Sequence, residues 1–384
     1  MPTSMLPSQR QLFDVPDAIA YFNCAYNAPQ LIESRNRLLA GVCAKGQPWQ
    51  RTPGSFFEDA ETIRGLASNL FGGDADGYAV VPAASYGVST AARAVEPTLG
   101  PGDRILVIAE EFPSNVLPWR RTARETGAEM VTVAPPERGG WTQAILDKLD
   151  RRVRVVAVST CHWTNGTVID VRPIASACRE TGAALAVDAT QTLGAIPLAM
   201  ADIKPDFLVA AGYKWLLWPY GVGLLYVSEQ WRGARPLEET WLARSNAANF
   251  AALVEYSDTY MPGARRFDVG EKCTPTLLPG AIAALEQVRA WGIASIEATL
   301  AATNRSLAAC LERLGFDVPP ERERSAHMFG ATLPPGYAGD LVGDLMARQV
   351  YISRRGNHLR FAPHLHVNDA DVDRLVDALC ELVR

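Results

Sequence analysis

Short apolar runs alternate with amphipathic stretches through the middle of the chain. The apolar runs, rich in Val and Ile, predict β-strands at residues 78–81, 104–108, 129–133, 153–159, 183–187, 207–210 and 223–227. The stretches between them predict helices at residues 58–70, 87–95, 116–125, 142–149 and 174–180. Strands separated by helices are typical of a mostly parallel sheet with helices on both faces. We therefore predict an α/β fold that binds its ligands at the carboxyl ends of the strands.

The pattern changes after about residue 265, where helical periodicity dominates. Helices are predicted at residues 280–290, 293–314 and 370–382, with two short strands at residues 330–333 and 359–362. These elements indicate a smaller α+β domain. We predict a large domain over residues 36–265, a small domain over residues 266–384, and an N-terminal segment, residues 1–35, that joins the small domain.

Composition narrows the class of protein. The chain has 384 residues, a hydrophobic fraction of 48%, a charged fraction of 21% and a net charge of −5. This length suits two packed subdomains. Because no basic stretch could follow a phosphate backbone, we expect no nucleic-acid partner. Since no apolar run is long enough to cross a bilayer, we expect no membrane partner.

The seven cysteines are scattered and form no Cys-x-x-Cys pair. This spacing argues against a disulfide framework and against a zinc site, so we expect no metal. The N-terminal residues lack a basic start followed by an apolar core, so we expect no secretion signal. A reducing cytoplasm is the simplest setting.

Two charged residues follow neighbouring strand candidates. Asp188 ends the apolar run before Ala189, and Lys214 follows the run 207–210 within an apolar and aromatic stretch. Asp188 alone could equally be a helix N-cap or a turn residue. A lysine in apolar surroundings is costly unless it is neutralised, paired or covalently occupied. Desolvation lowers the pKa of such an amine, which suits Schiff-base chemistry.

Other segments offer what pyridoxal 5′-phosphate would need in addition to an amine and a carboxylate. Ala84 and Ser85 lie at a junction between a strand and a helix, where backbone N–H groups can bind a phosphate. Phe112 could stack on the ring, although it could equally be a core residue. Arg360 could bind a substrate carboxylate through two parallel hydrogen bonds, with Arg354 and Arg355 as competitors.

The order of these segments resembles the class V aminotransferase family of fold-type I pyridoxal-phosphate enzymes. That family includes cysteine desulfurases, selenocysteine lyases, kynureninases and isopenicillin N epimerases. The similarity extends from residues 20–29 to residues 368–375. Its most specific part is Asp188-Ala-Thr-Gln191, followed by Lys214 and then by the Gly-x-Gly at residues 221–223.

The resemblance implies a role for each matching residue. Lys214 would hold the cofactor as a Schiff base and move protons at the substrate α-carbon, and Asp188 would pair with the pyridinium nitrogen. Gln191 would bind the phenolic oxygen, which Trp163 would adjoin. The phosphate would contact Ala84, Ser85 and Tyr213, the ring would contact Phe112, and the substrate carboxylate would contact Arg360 and Asn23. The roles of His162, Asn165 and Arg51 stay open.

The family is dimeric, so the resemblance also implies a homodimer in which the partner completes each site. A threonine from the partner usually contacts the phosphate. Thr274 is the candidate here, and Cys273 or Lys272 could take its place.

The resemblance leaves several reactions open. The segment 351–360 is short and contains no cysteine, so desulfuration through a persulfide on that loop is not expected. We predict an enzyme that acts at the α-carbon of an amino acid, as an aminotransferase or a C–S β-lyase. The alternatives are an epimerase, a kynureninase-like hydrolase, and a binding protein that keeps the fold without turnover. A nicotinamide enzyme is disfavoured because no Gly-x-Gly-x-x-Gly joins a strand to a helix.

Overall fold

The structure is a computed structural model, and it describes residues 4–136, 140–334, 337 and 339–383. Its strands are β1 (Ala20–Tyr21), β2 (Tyr78–Val81), β3 (Arg104–Ile108), β4 (Glu129–Val133), β5 (Val153–Ser159), β6 (Ala184–Asp188), β7 (Phe207–Ala211), β8 (Gly223–Val227), β9 (Phe329–Thr332), β10 (Val350–Tyr351), β11 (Ser353–Arg355) and β12 (His358–Phe361). Its α-helices are α1 (Ile32–Ala44), α2 (Glu58–Phe71), α3 (Ala84–Val95), α4 (Leu117–Thr126), α5 (Gly140–Leu146), α6 (Val171–Thr181), α7 (Met200–Ile203), α8 (Leu278–Trp291), α9 (Ile293–Arg313), α10 (Leu341–Ala347) and α11 (Asp369–Leu382).

A seven-stranded sheet forms the centre of the molecule, in the order β2-β8-β7-β6-β5-β3-β4. The strands from β7 to β4 run parallel, whereas β8 is antiparallel to both β7 and β2. The central strands are buried on both faces, which explains why they appear in the sequence as continuous apolar runs. Two apolar clusters cover the two faces. The predicted α/β fold with a mostly parallel sheet is thus confirmed.

A second, three-stranded sheet has the order β11-β12-β9, and β1 pairs with β10 beside it. Its apolar cluster includes Phe22, Leu307, Phe329 and Leu379, so the N-terminal strand packs with elements from the last third of the chain. Within the described ranges, no helix combines the length and the apolarity that crossing a bilayer requires.

The observed bounds of most predicted elements lie within a few residues of the sequence pattern. One difference matters for the site, because α3 begins at Ala84, whereas the periodicity predicted a start at residue 87. Strand β11 and helix α1 were not predicted at all.

Candidate active site

Lys214 lies in the turn that joins β7 to β8. Its side chain is 6% exposed, and it precedes the fully buried Trp215. The turn is tightly built, because a Cβ on Gly212 would lie 2.6 Å from the carbonyl oxygen of Val222. Leu217 has a φ of 57°, a conformation that costs energy for a side chain of this size. The turn therefore fixes the backbone from which the Lys214 side chain extends.

The surroundings of Lys214 favour its neutral form. Burial is the main cause that lowers the pKa of Lys214 to about 8, and the positive charge of Arg360 adds to it. Asp188 opposes this shift. An amine with such a pKa is available as a nucleophile near neutral pH.

Asp188 is the last residue of β6, the strand adjacent to β7. Its Oδ1 accepts a hydrogen bond from the backbone N–H of Thr190 at 2.9 Å. Burial nevertheless raises the pKa of Asp188 above its usual value, while the nearby Lys214 partly offsets the shift. The carboxylate would therefore gain from a cationic partner such as a pyridinium N–H.

Two aromatic residues form a wall beside the lysine. The Phe112 ring centroid lies 5.6 Å from Lys214 Nζ. Phe112 also meets Trp163 edge to face, with ring centroids 5.4 Å apart. Tyr213, whose ring centroid lies 5.8 Å from Lys214 Nζ, stacks on Tyr220 with ring centroids 3.9 Å apart. The structure thus places the predicted ring-contacting residue next to the predicted Schiff-base lysine.

Gln191 is held by the surrounding protein. Its Nε2 donates to the carbonyl oxygen of Ala25 at 3.2 Å, and its Oε1 accepts from Trp215 Nε1 at 3.1 Å. Its backbone oxygen forms a hydrogen bond with the Nε2 of buried His327. One Nε2 hydrogen remains for a ligand, so the predicted contact with the phenolic oxygen is compatible with this geometry.

Arg360 lies on β12 and is 1% exposed. One terminal N–H donates to the carbonyl oxygen of Trp163 at 2.7 Å, whereas Nε has no hydrogen-bond partner among the described residues. Burial and the charge of Arg355 lower the pKa of Arg360, but a guanidinium stays protonated in proteins. The buried Oδ1 of Asn23 likewise lacks a partner within the described ranges. A substrate carboxylate would pair with the arginine, and a donor on the substrate would satisfy Asn23.

The start of α3 suits a phosphate. Its N-cap residue, Ala83, makes no side-chain cap hydrogen bond, so the first N–H groups, at Ala84 and Ser85, are open to a ligand. Helix N-termini attract anions through these groups and the helix dipole. Gly87 lets the helix approach β7, because a Cβ there would lie 2.8 Å from Val209 Cγ1.

Thr274 lies before α8, where its carbonyl oxygen accepts from the N–H groups of Leu277 and Leu278. Within the described ranges, Thr274 forms no hydrogen bond with Lys214, and its phosphate contact stays a prediction about a partner subunit. Lys272, the alternative, is 1% exposed and bonded to Asp268 at 2.7 Å, so it is not free to contact a phosphate.

Sequence reasoning missed Glu111, which lies between β3 and Phe112. It is 7% exposed, and burial together with the charge of Asp188 raises its pKa to about 7. Its Oε1 accepts from the backbone N–H of Phe112 at 2.7 Å, while Oε2 has no partner within the described ranges. The only sequence signal for Glu111 was its position after a parallel strand, and the adjacent Phe112 was selected instead as the ring-stacking candidate.

These groups meet the requirements of pyridoxal 5′-phosphate. Lys214, Asp188 and Phe112 follow or end three parallel strands at the same edge of the sheet, and open N–H groups mark the start of α3. The Nε of Arg360, which has no partner among the described residues, is available to an acid group.

Comparisons with known proteins agree with this geometry. The family model described as "Aminotransferase class-V" matches residues 42–369. A probable cysteine desulfurase of Pyrococcus abyssi is 24% identical, over 84% of this chain and 83% of its own. The isopenicillin N epimerase of Amycolatopsis lactamdurans is 27% identical, over 77% of this chain and 78% of its own.

A solved structure of a C-DES variant, with glycine covalently linked to the PLP cofactor, superposes with a TM-score of 0.85. It shares 20% of its sequence with this chain and covers 97% of it, while 99% of the C-DES chain is matched. This likeness confirms the fold. Because the family model spans most of the chain, the protein belongs to the class V aminotransferase family and is a pyridoxal-phosphate-dependent enzyme.

Proposed function

We propose that the protein removes the α-proton of an amino-acid substrate and acts as an aminotransferase or a C–S β-lyase. The observation that carries this proposal is a buried amine of lowered pKa next to a buried arginine whose Nε lacks a partner among the described residues. One group can move a proton, and the other can hold the substrate carboxylate beside it.

In this proposal each residue does one task. Lys214 would hold the cofactor through its amine, and once the substrate amine has displaced it from the cofactor carbon its free Nζ would accept the α-proton. Asp188 would keep a proton on the ring nitrogen, and Arg360 would orient the carboxylate so that the α-hydrogen faces Lys214. The bound cofactor supplies an electron sink for the charge left on the α-carbon.

The supporting residues complete the site. Phe112 would cover one ring face, Gln191 and Trp163 would adjoin the phenolic oxygen, Asn23 would assist Arg360, and Ala84, Ser85 and Tyr213 would contact the phosphate. Because Lys214, Asp188 and Arg360 are buried, their charges interact more strongly than they would in solvent.

We also propose a homodimer whose partner adds Thr274 to the phosphate site. Exposed apolar side chains support an interface, since Trp49 is 77% exposed and Tyr256 is 96% exposed. All seven cysteines are free, which supports a reducing cytoplasm. The three-stranded sheet and its own apolar cluster support a separate small domain, whereas α8 packs in the apolar cluster of the central sheet and so does not support a boundary at residue 265.

The test is spectroscopic. We would record the near-ultraviolet and visible absorbance of wild type and Lys214→Ala, and then add amino acids with and without a keto acid. We expect a cofactor band in the wild type that borohydride fixes covalently and that changes in the variant. Turnover that needs the keto acid indicates a transaminase, whereas pyruvate and ammonia without it indicate a lyase. The absence of a band after addition of pyridoxal phosphate would overturn the proposal.

A further inference from the structure

The β11–β12 hairpin sorts its side chains onto two faces. Ser353 pairs with Arg360, and Arg355 pairs with His358. Residues directly opposite each other in an antiparallel pair, and residues two apart on one strand, point to the same face. Ser353, Arg355, His358 and Arg360 therefore share one face, and Arg354 is on the other. The face that carries the proposed carboxylate-binding arginine thus carries a second guanidinium.

Two polar atoms on this face are buried without partners. Ser353 is 6% exposed and Arg360 is 1% exposed, and neither Ser353 Oγ nor Arg360 Nε has a hydrogen-bond partner among the described residues. More than nine in ten buried polar groups in proteins have a partner. A pair of exceptions on adjacent strands indicates a position where a polar ligand belongs.

Arg355 is directed toward the same space. Its guanidinium carbon lies 6.0 Å from the ring centroid of Trp163, the residue whose carbonyl oxygen holds Arg360. The two arginines therefore flank one tryptophan, which packs against Phe112 beside Lys214. Within the described ranges, Arg355 forms no ion pair with a carboxylate, and its recorded side-chain bond is to the carbonyl oxygen of Arg354 at 2.7 Å.

The charges at this position are not balanced. Arg355 repels the charged forms of Lys214 and Arg360 and thereby lowers the pKa of each. A single carboxylate on Arg360 would leave Arg355 without a counterion. A ligand with two acid groups would pair with both arginines and relieve the repulsion.

We propose that Arg355 is a specificity residue that binds a second acid group, so that the substrate is an amino acid with an anionic side chain. This inference rests on the proposed function, in which Arg360 binds the α-carboxylate. Ser353 would donate its hydroxyl hydrogen to one of the two acid groups.

Calorimetric titration of the holoenzyme tests the site without any turnover. Succinate carries two carboxylates, and its half-amide succinamate has nearly the same shape with only one. We expect the wild type to bind succinate about tenfold to hundredfold more tightly, the range of one hydrogen bond to a charged group. Arg355→Gln should weaken succinate binding and leave succinamate binding unchanged. Arg354→Gln is the matched control, because it removes a neighbouring charge from the other face and should preserve the ratio.

Three results would overturn the inference: equal affinity of the wild type for the two ligands, equal weakening of both by Arg355→Gln, and no binding of either ligand. Steady-state kinetics separates this inference from the proposed function. If asparagine and glutamine are turned over as well as aspartate and glutamate, the proposed function holds and the second anion site fails. If no amino acid is turned over but the succinate ratio follows Arg355, the anion site holds and the proposed function fails.

Discussion

Two groups of charged side chains are buried in this molecule, and they differ in how completely their charges are paired. In the first, Asp268 accepts from Arg64 at 2.5 Å and from Lys272 at 2.7 Å, and all three side chains are 1% exposed. In the second, Asp188, Lys214 and Arg360 are also buried, yet no ion pair joins them to any described residue within 4 Å.

The difference separates charged residues that stabilise the fold from charged residues that are available to bind ligands. Asp268 also accepts from the backbone N–H of Val80 and thereby links α2, β2 and the segment before α8. Its charge is fully compensated inside the fold. The charges of Asp188 and Lys214 compensate each other only in part, so the charged groups near Lys214 cost stability in the free protein and are available for binding. Burial alone would not have distinguished the two groups.

The largest expected effect comes from removing the amine. Lys214→Met keeps most of the side-chain volume and removes the group that accepts the α-proton. We expect kcat to fall by about 10²–10⁴-fold, the usual contribution of a positioned acid or base. The cofactor-free variant should unfold at a temperature no lower than that of wild type, because a buried amine of lowered pKa is replaced by an apolar side chain. A markedly lower unfolding temperature would show that Lys214 stabilises the fold, as Lys272 does.

The two aspartates allow a matched comparison of free energies of unfolding in urea at neutral pH. Asp268→Asn leaves the buried Lys272 without its counterion and removes one of the two carboxylate partners of Arg64, so it should lower the free energy of unfolding by about 3–5 kcal/mol. Asp188→Asn should not lower it in the cofactor-free protein. Since burial raises the pKa of Asp188 above its unfolded value, the ionised carboxylate costs stability at every pH above that value, and asparagine removes the cost.

The effects of the two substitutions on kcat should have the reverse order. Asp188→Asn should lower kcat by about 10²–10³-fold, as does removal of an aligned electrostatic group, and Asp268→Asn should lower it less. Equal destabilisation by the two substitutions would show that the distinction between paired and unpaired charge is wrong.

The smallest effect concerns pH. The rate at which cofactor-free enzyme captures pyridoxal phosphate depends on neutral Lys214, so it should rise with pH through a midpoint near 8. Asp188→Asn should lower this midpoint, because the carboxylate stabilises the charged amine, and Arg360→Gln should raise it, because a repelling charge is removed. Borohydride trapping at a series of pH values measures the midpoint. Shifts in the opposite directions would contradict the assigned surroundings of the lysine.

The sequence predicted the central sheet closely, because buried parallel strands such as β5 appear as uninterrupted apolar runs. Helix α1 escaped prediction for a definite reason. Its contact with α8 depends on small residues, since Ser34 donates to the carbonyl oxygen of Gly280 and a Cβ on Gly41 would lie 1.8 Å from the oxygen of Pro275. Apolar residues such as Leu39 are exposed, so the helix has no distinct hydrophobic stripe.

The candidate site was predictable where a motif carried it, as at Asp188 and Lys214. Arg355 was considered only as a competitor of Arg360 for one carboxylate, and no second acid group was predicted, although the sequence contained a signal. Gly356-Asn357 is a two-residue sequence typical of a tight hairpin turn, and the turn sets which residues of the two strands share a face. The cost of leaving Arg360 Nε and Ser353 Oγ without partners became visible only with the packed structure.

The loop after β5 has a consequence for building chimaeric enzymes. Three carbonyl oxygens of this loop accept hydrogen bonds of 2.7 Å. That of Trp163 accepts from the Arg360 guanidinium, that of Asn165 from the N–H of Gly330, and that of Gly166 from the N–H of Ser325. Each acceptor belongs to the part of the chain that forms the central sheet, and each donor comes from the last third. A relative's C-terminal third should therefore be transplanted together with residues 160–168, since a crossover that separates them would break the bonds that align the arginine with the lysine.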